Sequence, residues 1–161
     1  MALTDSLISY YKLDEASGNA LDAHGSNTLT ENGTIGTGTG KISNARDFES
    51  GDAADRFGLA DSTDFSTGDV DFTIQAWINM ESKLGYHAIV SKDDLGVNRE
   101  YLLLYVIDTD RIQFSVWSGA SGSGNTGAVW DSSPSTGAWL HIICWHDSVA
   151  NQIGISINNG T

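Results

Sequence analysis

Hydrophobic and polar residues alternate along several short stretches of this chain. Residues 71–79 are the clearest case, and their apolar positions fall on one face: Phe72, Ile74, Ala76 and Ile78. A period of two over this length predicts a β-strand with one buried face. Trp77 is a large aromatic residue on the otherwise polar face, so we expect a second sheet or a long loop to cover it as part of the core.

Similar patterns predict strands over residues 7–13, 45–49, 56–60, 88–92, 100–107, 111–118, 128–130, 139–145 and 152–158, with shorter strands anchored by Leu29 and Ile35. Segments rich in small and turn-forming residues separate the strands, including a loop predicted over residues 119–127. Strands that recur about every ten residues are typical of a β-sandwich or a barrel.

Composition narrows the range of partners. The 161 residues have the length of one domain, and 40% of them are hydrophobic, which favours a globular chain. Lys and Arg number 8 against 21 Asp and Glu, a net charge of −13. A field of this sign disfavours nucleic acid and anionic membranes, and it suits neutral or cationic ligands and divalent cations. Solubility alone would also explain the charge.

We find neither a signal peptide nor an apolar run long enough for membrane insertion.

Seven short motifs follow one another in the order of a known family. They are LISYYKLDE at residues 7–15, ALDAHG at 20–25, GKISNARDF at 40–48, DFTIQAW at 71–77, IVSK at 89–92, WLHII at 139–143 and ISINNG at 155–160. The series resembles the laminin-G-like, concanavalin A-like domains, although Ser43 stands where that family usually has glycine. The resemblance implies an all-β fold, an antiparallel two-sheet β-sandwich (jelly roll), formed by residues 1–161 as a single domain.

The end of the chain predicts an unfinished sheet. Asn158, Asn159 and Gly160 form a hairpin-turn signal, which predicts a returning strand, yet the sequence stops at Thr161. Members of the family continue with further strands, so we expect the domain to be C-terminally incomplete. An unpaired sheet edge would then accept a neighbouring protein chain as a partner.

Four carboxylates lie close together in the sequence: Asp47, Glu49, Asp52 and Asp55. Calcium binds six to eight oxygen atoms, many of them from acidic loops, and the resemblance implies a structural calcium ion in the loops of the sandwich. We therefore predict that these residues are calcium ligands. A solvated acidic loop is the alternative interpretation.

Catalysis is not expected. Glycoside hydrolysis needs two carboxylates, and the E-x-D-x-x-E motif of the catalytic members of the wider fold does not occur in the sequence. His141 and His146 lie on opposite faces of one predicted strand and cannot share a metal through that strand alone. Cys144, the single cysteine, lies between them in an apolar stretch and is predicted to be a buried, inert thiol.

Aromatic side chains offer another kind of site, because the C–H bonds of a sugar ring can stack on an aromatic plane. Trp117, Trp130, Trp139 and Trp145 could serve in this way, although Trp139, like Trp77, is expected in the core. We select Trp117 and Trp130, which border flexible loops, as ligand-binding residues, with Tyr86 and Tyr105 as further candidates.

Two functions fit these observations. The first is a non-catalytic recognition or adhesion module that binds glycans or another surface ligand. The second is a structural or decoration domain of a phage virion or a cell-surface assembly, with no small ligand. Both predict an extracellular or virion-surface location.

Overall fold

A computed structural model describes residues 4–49, 51, 54–94, 98–118 and 124–158, and these form eleven strands. The strands are β1 Thr30–Asn32, β2 Gly36–Thr39, β3 Asn44–Asp47, β4 Arg56–Gly58, β5 Phe72–Asn79, β6 His87–Asp94, β7 Asn98–Val106, β8 Arg111–Trp117, β9 Asn125–Val129, β10 Trp139–Asp147 and β11 Gln152–Ile157. All strand pairs are antiparallel, which confirms the predicted all-β class. No helix in this part of the chain has the length and apolarity to cross a membrane.

The chain divides into two compact units, Met1–Phe65 and Ser66–Thr161. In the first unit, β1 pairs with β4 and β2 pairs with β3. The strand predicted over residues 7–13 is wrong, because this segment makes only one isolated bridge, between Tyr11 and Asp22. The prediction that residues 1–161 form a single domain stays a prediction.

The side chain of Asp22 explains why residues 7–13 form no ladder. Its carboxylate accepts hydrogen bonds from the backbone N–H groups of Tyr10, His24 and Gly25 at 2.9–3.0 Å, and from that of Asn27 at 3.1 Å. Burial alone would raise the pKa of Asp22, but these donors outweigh burial and hold the pKa well below its usual range. The backbone N–H of Tyr10, which a strand would use in its ladder, is therefore bound by the side chain of Asp22.

Arg46 is the buried centre of the first unit. Its guanidinium donates to the Glu31 carboxylate at 2.9 Å and to the carbonyl oxygens of Ile35 and Gly18 at 3.0 Å. It also lies 5.1 Å from the ring centroid of Phe57. A fully buried guanidinium needs such partners because an unpaired charge in an apolar interior is costly.

The second unit is a sandwich of two sheets, with strand orders β11-β10-β5 and β6-β7-β8-β9. Its core contains residues from both sheets: Tyr101, Leu103, Tyr105, Ile112 and Phe114 from the larger one, and Leu140, Ile142, Cys144 and Ile157 from the smaller one. The apolar face of β5 packs against this core, as its period predicts. The structure thus confirms the antiparallel sandwich.

Two further predictions concern loops: the small-residue loop over residues 119–127 and the hairpin turn at the end of the sequence. The small-residue loop predicted over residues 119–127 is wrong at its end, because β9 begins at Asn125 and Gly127 pairs with Ser115. A small residue suits this position, where a Cβ on Gly127 would lie 3.3 Å from the amide nitrogen of Gln113. Asn159 and Gly160 of the predicted hairpin lie outside the described residues, so the unfinished sheet edge stays a prediction.

Candidate functional site

The smaller sheet of the second unit has one face toward the core and one away from it. Leu140, Ile142 and Cys144 of β10 are buried, so the alternate residues point the other way. We call this second surface the outer face. The register of the ladders assigns to it Thr73, Gln75, Trp77 and Asn79 of β5, Trp139, His141, Ile143, Trp145 and Asp147 of β10, and Gln152, Gly154 and Ser156 of β11.

Trp145 lies flat on the outer face. It is the register partner of Gly154 in β11. A Cβ built on Gly154 would overlap three carbons of the six-membered ring of Trp145, so the indole lies directly over the glycine backbone. The side chain is nevertheless 38% exposed. One side of the ring is therefore supported by the sheet, and the other is available to a ligand.

A second aromatic group is formed by His141, further along β10, and by Trp77 of the neighbouring strand β5. Trp77 of β5 is the register partner of His141, and their rings stack with centroids 4.7 Å apart and planes 18° apart. Trp77 is 47% exposed. The expectation that it belongs to the core is wrong, because the imidazole of a neighbouring strand contacts its ring at the surface and no burial of the whole indole results.

Ile143 lies between the two aromatic groups, flanked by Gln75 of β5 and Ser156 of β11. Residues 141 and 145 are separated by four steps along the strand, or about 13 Å at 3.3 Å per residue. The outer face thus combines several aromatic side chains, with Trp139 as a further one, with amide and hydroxyl groups. This mixture of apolar planes and a few polar groups is the usual composition of a small-molecule or sugar site.

The two tryptophans selected from the sequence lie near opposite ends of β8. Trp117 ends that strand, and the guanidinium of Arg99 lies 4.5 Å from its ring centroid. The same guanidinium donates to both carboxylate oxygens of Asp93, at 2.7 and 2.9 Å, so one side of the ring is occupied. Trp130 donates its backbone N–H to Ile112 near the start of β8, and its side chain packs partly against the core.

The two selected tyrosines have contrasting environments. Tyr86 is 59% exposed and donates its hydroxyl to Asp108, a hydrogen bond that raises the pKa of the phenol. Tyr105 is only 2% exposed, and its hydroxyl donates to Asp110 at 3.0 Å. Tyr105 is therefore a core residue, and the expectation that its ring meets a ligand is wrong because both sheets cover it.

Asp110, in the turn between β7 and β8, contacts side chains from two other loops of the second unit. Lys83 lies 2.8 Å from its carboxylate, and the hydroxyl of Ser133 donates to it at 2.5 Å. These two contacts, with Tyr105, lower the pKa of Asp110 to about 2. Lys83 also donates to the hydroxyl of Ser133 at 2.6 Å, so the side chains of Lys83, Asp110 and Ser133 form one hydrogen-bonded group.

Of the four predicted calcium ligands, the three in the described part of the chain are not brought together as a metal site. Asp47 ends β3, Glu49 is exposed beyond it, and Asp55 accepts the backbone N–H of Thr34 at 2.8 Å. Asp52 lies outside the described residues. Within the described ranges, no group of three or more His, Cys, Asp or Glu side chains could hold a metal ion. The structural calcium stays a prediction.

Sequence reasoning considered Trp145 but selected other residues. The signal that would have identified it is the short turn between two strong strand patterns. A turn over residues 148–151 pairs Asp147 with Gln152, and the same register then sets Trp145 against Gly154. A tryptophan opposite a glycine is the arrangement in which an indole can lie on the backbone.

Comparison with known proteins gives one match. No curated protein and no solved structure matches the chain. A laminin G family model, described as the concanavalin A-like lectin/glucanases superfamily, matches residues 51–159, which is more than half of the chain and includes β5, β10 and β11. This match supports a binding module in general and confirms the resemblance seen in the motifs. The chain therefore belongs to the laminin-G-like domains of the concanavalin A-like lectin/glucanase superfamily.

Proposed function

We propose that this domain is a non-catalytic recognition module that binds glycans on the outer face of the β11-β10-β5 sheet. The observation that carries the proposal is the indole of Trp145, which lies on the backbone of Gly154 and remains exposed. A ring held in this way loses little conformational freedom when a ligand stacks on it, so little of the binding energy is lost to ordering. Such a role is consistent with the predicted extracellular or virion-surface location.

The chemistry of the outer face favours binding without hydrolysis. Asp147 is the one carboxylate among the outward positions of the three strands, all of which lie in the described part of the chain, and its side chain accepts the backbone N–H of Ala150 at 2.7 Å. Hydrolysis of a glycosidic bond needs a pair of carboxyl groups on either side of the bond. Asp147 already organises a turn, and Asp71, which directly precedes β5, accepts the backbone N–H and the hydroxyl of Ser148 at 2.8 and 2.7 Å. Both carboxylates at this end of the sheet therefore have structural partners.

Affinity electrophoresis tests the proposal. The protein is run through native gels that contain single polysaccharides, and retarded migration reports binding. We expect at least one polysaccharide to retard the protein, and we expect Trp145→Ala to abolish the retardation. Trp117→Ala is the matched control, since Trp117 lies on the other sheet under Arg99, and it should bind like the unaltered protein.

The outcomes separate the candidate functions. Loss of binding in Trp117→Ala with retention in Trp145→Ala would move the site to the residues selected from the sequence. A protein that no polysaccharide retards would refute the glycan proposal and favour a structural or decoration domain. The urea midpoint of Trp145→Ala guards against a trivial loss of folding, because it shows whether the variant is still folded under the conditions of the gel.

A further inference from the structure

We infer that the first unit has a separate surface for a protein partner, in which a pocket accepts an arginine side chain of that partner. Exposed residues beside the pocket would contact apolar side chains next to the arginine. This inference goes beyond the proposed function and does not depend on glycan binding. It is carried by an open pocket of about 290 Å³, by the charges that line it and by exposed apolar residues at its edge.

Two short segments of the first unit form this surface. Residues 8–12 run antiparallel to residues 21–25 and are held there by the bridge between Tyr11 and Asp22. Residues directly opposite each other in an antiparallel pair point to the same side, and the side alternates along the chain. The neighbours of the bridge therefore point away from Tyr11 and Asp22, and all of them are exposed: Tyr10, Lys12, Leu21 and Ala23.

The pocket lies on this exposed side. Its lining residues are Lys12, Asp14, Glu15, Leu21, Asp22 and Ala23. Its volume is just below the range of about 300–1,000 Å³ that is typical of small-molecule sites, which suits a single side chain. Leu21 is 58% exposed, so the methylene groups of an entering arginine would pack against an apolar side chain that now faces water.

The charge of the pocket favours a cation. Three carboxylates and one ammonium group line it, which leaves a formal charge of −2. Asp14 has neither a hydrogen bond nor an ion pair within the described part of the chain. Oε1 of Glu15 accepts the backbone N–H of Leu21 at 2.9 Å, whereas Oε2 is buried and has no hydrogen-bond partner among the described residues. Since buried acceptors are usually satisfied, a cationic donor in the pocket would supply a bond that this carboxylate lacks.

Arginine suits these acceptors better than lysine does. The guanidinium is planar and has five N–H donors, so it can bond to two carboxylates at once, and it loses less hydration than an ammonium group. The net charge of −13 attracts a basic partner from a distance and repels an acidic one.

The apolar residues beside the pocket indicate a protein and not a free small molecule. Ile8 and Tyr10 precede Lys12 at alternate positions, and each is 52% exposed. A single arginine in the pocket would leave both of them in water. A protein segment with apolar residues on either side of the arginine would cover them, as is usual where exposed apolar residues adjoin one another.

NMR titration of the isotope-labelled protein tests the inference. The probe is the blocked tripeptide acetyl-Leu-Arg-Leu-amide, and the control peptide has citrulline in place of arginine, which keeps the shape and removes the charge. We expect the arginine peptide to shift the backbone amide signals of residues 8–15 and 21–25 with a Kd of about 1 mM. The citrulline peptide should bind about tenfold or more weakly, because it lacks the charge-assisted hydrogen bonds.

Variants separate the charge of the pocket from the charge of the whole chain. Asp14→Asn should weaken the arginine peptide about threefold or more, whereas Glu49→Gln, which changes the net charge equally at an exposed residue outside the pocket lining, should not. Lys12→Gln should strengthen binding, because it removes the one like charge from the lining. The dispersion of the amide signals shows whether each variant is folded.

Each other result overturns part or all of the inference. If acetyl-arginine-amide binds as tightly as the tripeptide, the protein partner is refuted. If the citrulline peptide binds as tightly, or if Lys12→Gln weakens binding, the cationic class is refuted. Absence of any shift at about 10 mM peptide, tenfold above the expected Kd, overturns the whole inference. The glycan proposal is tested separately, because Trp145 belongs to the second unit and Asp14→Asn should leave polysaccharide binding unchanged.

Discussion

Gly154→Ala probes the contact that supports the candidate site. The added methyl would occupy the space of the Trp145 indole, so the ring or the strand must move. Overpacking of this kind costs about 1–3 kcal/mol of the free energy of unfolding. Trp145→Ala removes an indole that is 38% exposed. An aromatic side chain buries about 150–250 Å² in full, so the buried part of Trp145 contributes about 2–4 kcal/mol at about 25 cal/mol per Å².

The two changes should not be additive. Once Trp145 is alanine, the methyl of Gly154→Ala enters vacated space, and a Gly→Ala change in a compatible conformation stabilises by about 0.4–1 kcal/mol. The same substitution therefore destabilises the unaltered protein and stabilises the variant. The coupling energy of the double-mutant cycle should be about 1.4–4 kcal/mol, above the few tenths expected of independent sites.

Urea unfolding followed by far-ultraviolet circular dichroism measures the cycle, because fluorescence would change with the number of tryptophans. An unchanged m value shows that each variant unfolds from a comparable state. Gly38→Ala is the matched control: a Cβ at this strand glycine would have no other atom within 4 Å, so its substitution should be neutral or slightly stabilising. Additivity within about 0.5 kcal/mol would refute the placement of the indole on Gly154.

Three further predictions concern other parts of the chain. Arg46→Ala should lower the free energy of unfolding by about 1–3 kcal/mol in urea titrations, because it leaves the buried carbonyl oxygen of Ile35 without its donor, and an unchanged free energy of unfolding would contradict this role. The folded-state pKa of Asp22 is lowered, so the stabilisation from its ionised carboxylate is fully present above the unfolded pKa of about 3.9 and is lost as the pH falls below that value. In acid titrations, Asp22→Asn should therefore show a weaker unfolding transition than the unaltered protein. Burial raises the pKa of the Cys144 thiol to about 12, so a thiol reagent at mildly alkaline pH should label the protein only after denaturation, and rapid labelling of the native protein would contradict this burial.

The strands of the second unit could be predicted well because their burial is one-sided and regular. The pattern at residues 71–79 predicted β5, found at Phe72–Asn79, and the pattern at 139–145 predicted most of β10, found at Trp139–Asp147. Residues 7–13 have an equally suggestive pattern and form no strand. Periodicity describes where side chains point, but it does not show that Asp22 binds the backbone N–H of Tyr10.

The candidate site was harder to predict because it depends on register and on the depth of burial. Tyr105 and Tyr86 are the same residue type in neighbouring strand patterns, yet one is enclosed by both sheets and the other is exposed. Trp117 borders a loop, as the sequence indicated, but Arg99 reaches its ring from an adjacent strand. These contacts join residues that are distant in sequence, so no local pattern records them.

The net charge of the chain and the aromatic residues of the outer face affect ligand binding in different ways. A strongly acidic chain repels anionic polymers over a range of about a Debye length, without any contact that recognises them. In the proposed function, the outer face has Asp147 as the one carboxylate on its described strands and binds a ligand through the exposed indole of Trp145 rather than through charge. Specificity is a difference of affinities, and repulsion of the wrong ligand counts as much as contact with the right one. If the domain binds glycans as proposed, the acidic field therefore selects against anionic glycans before any contact forms.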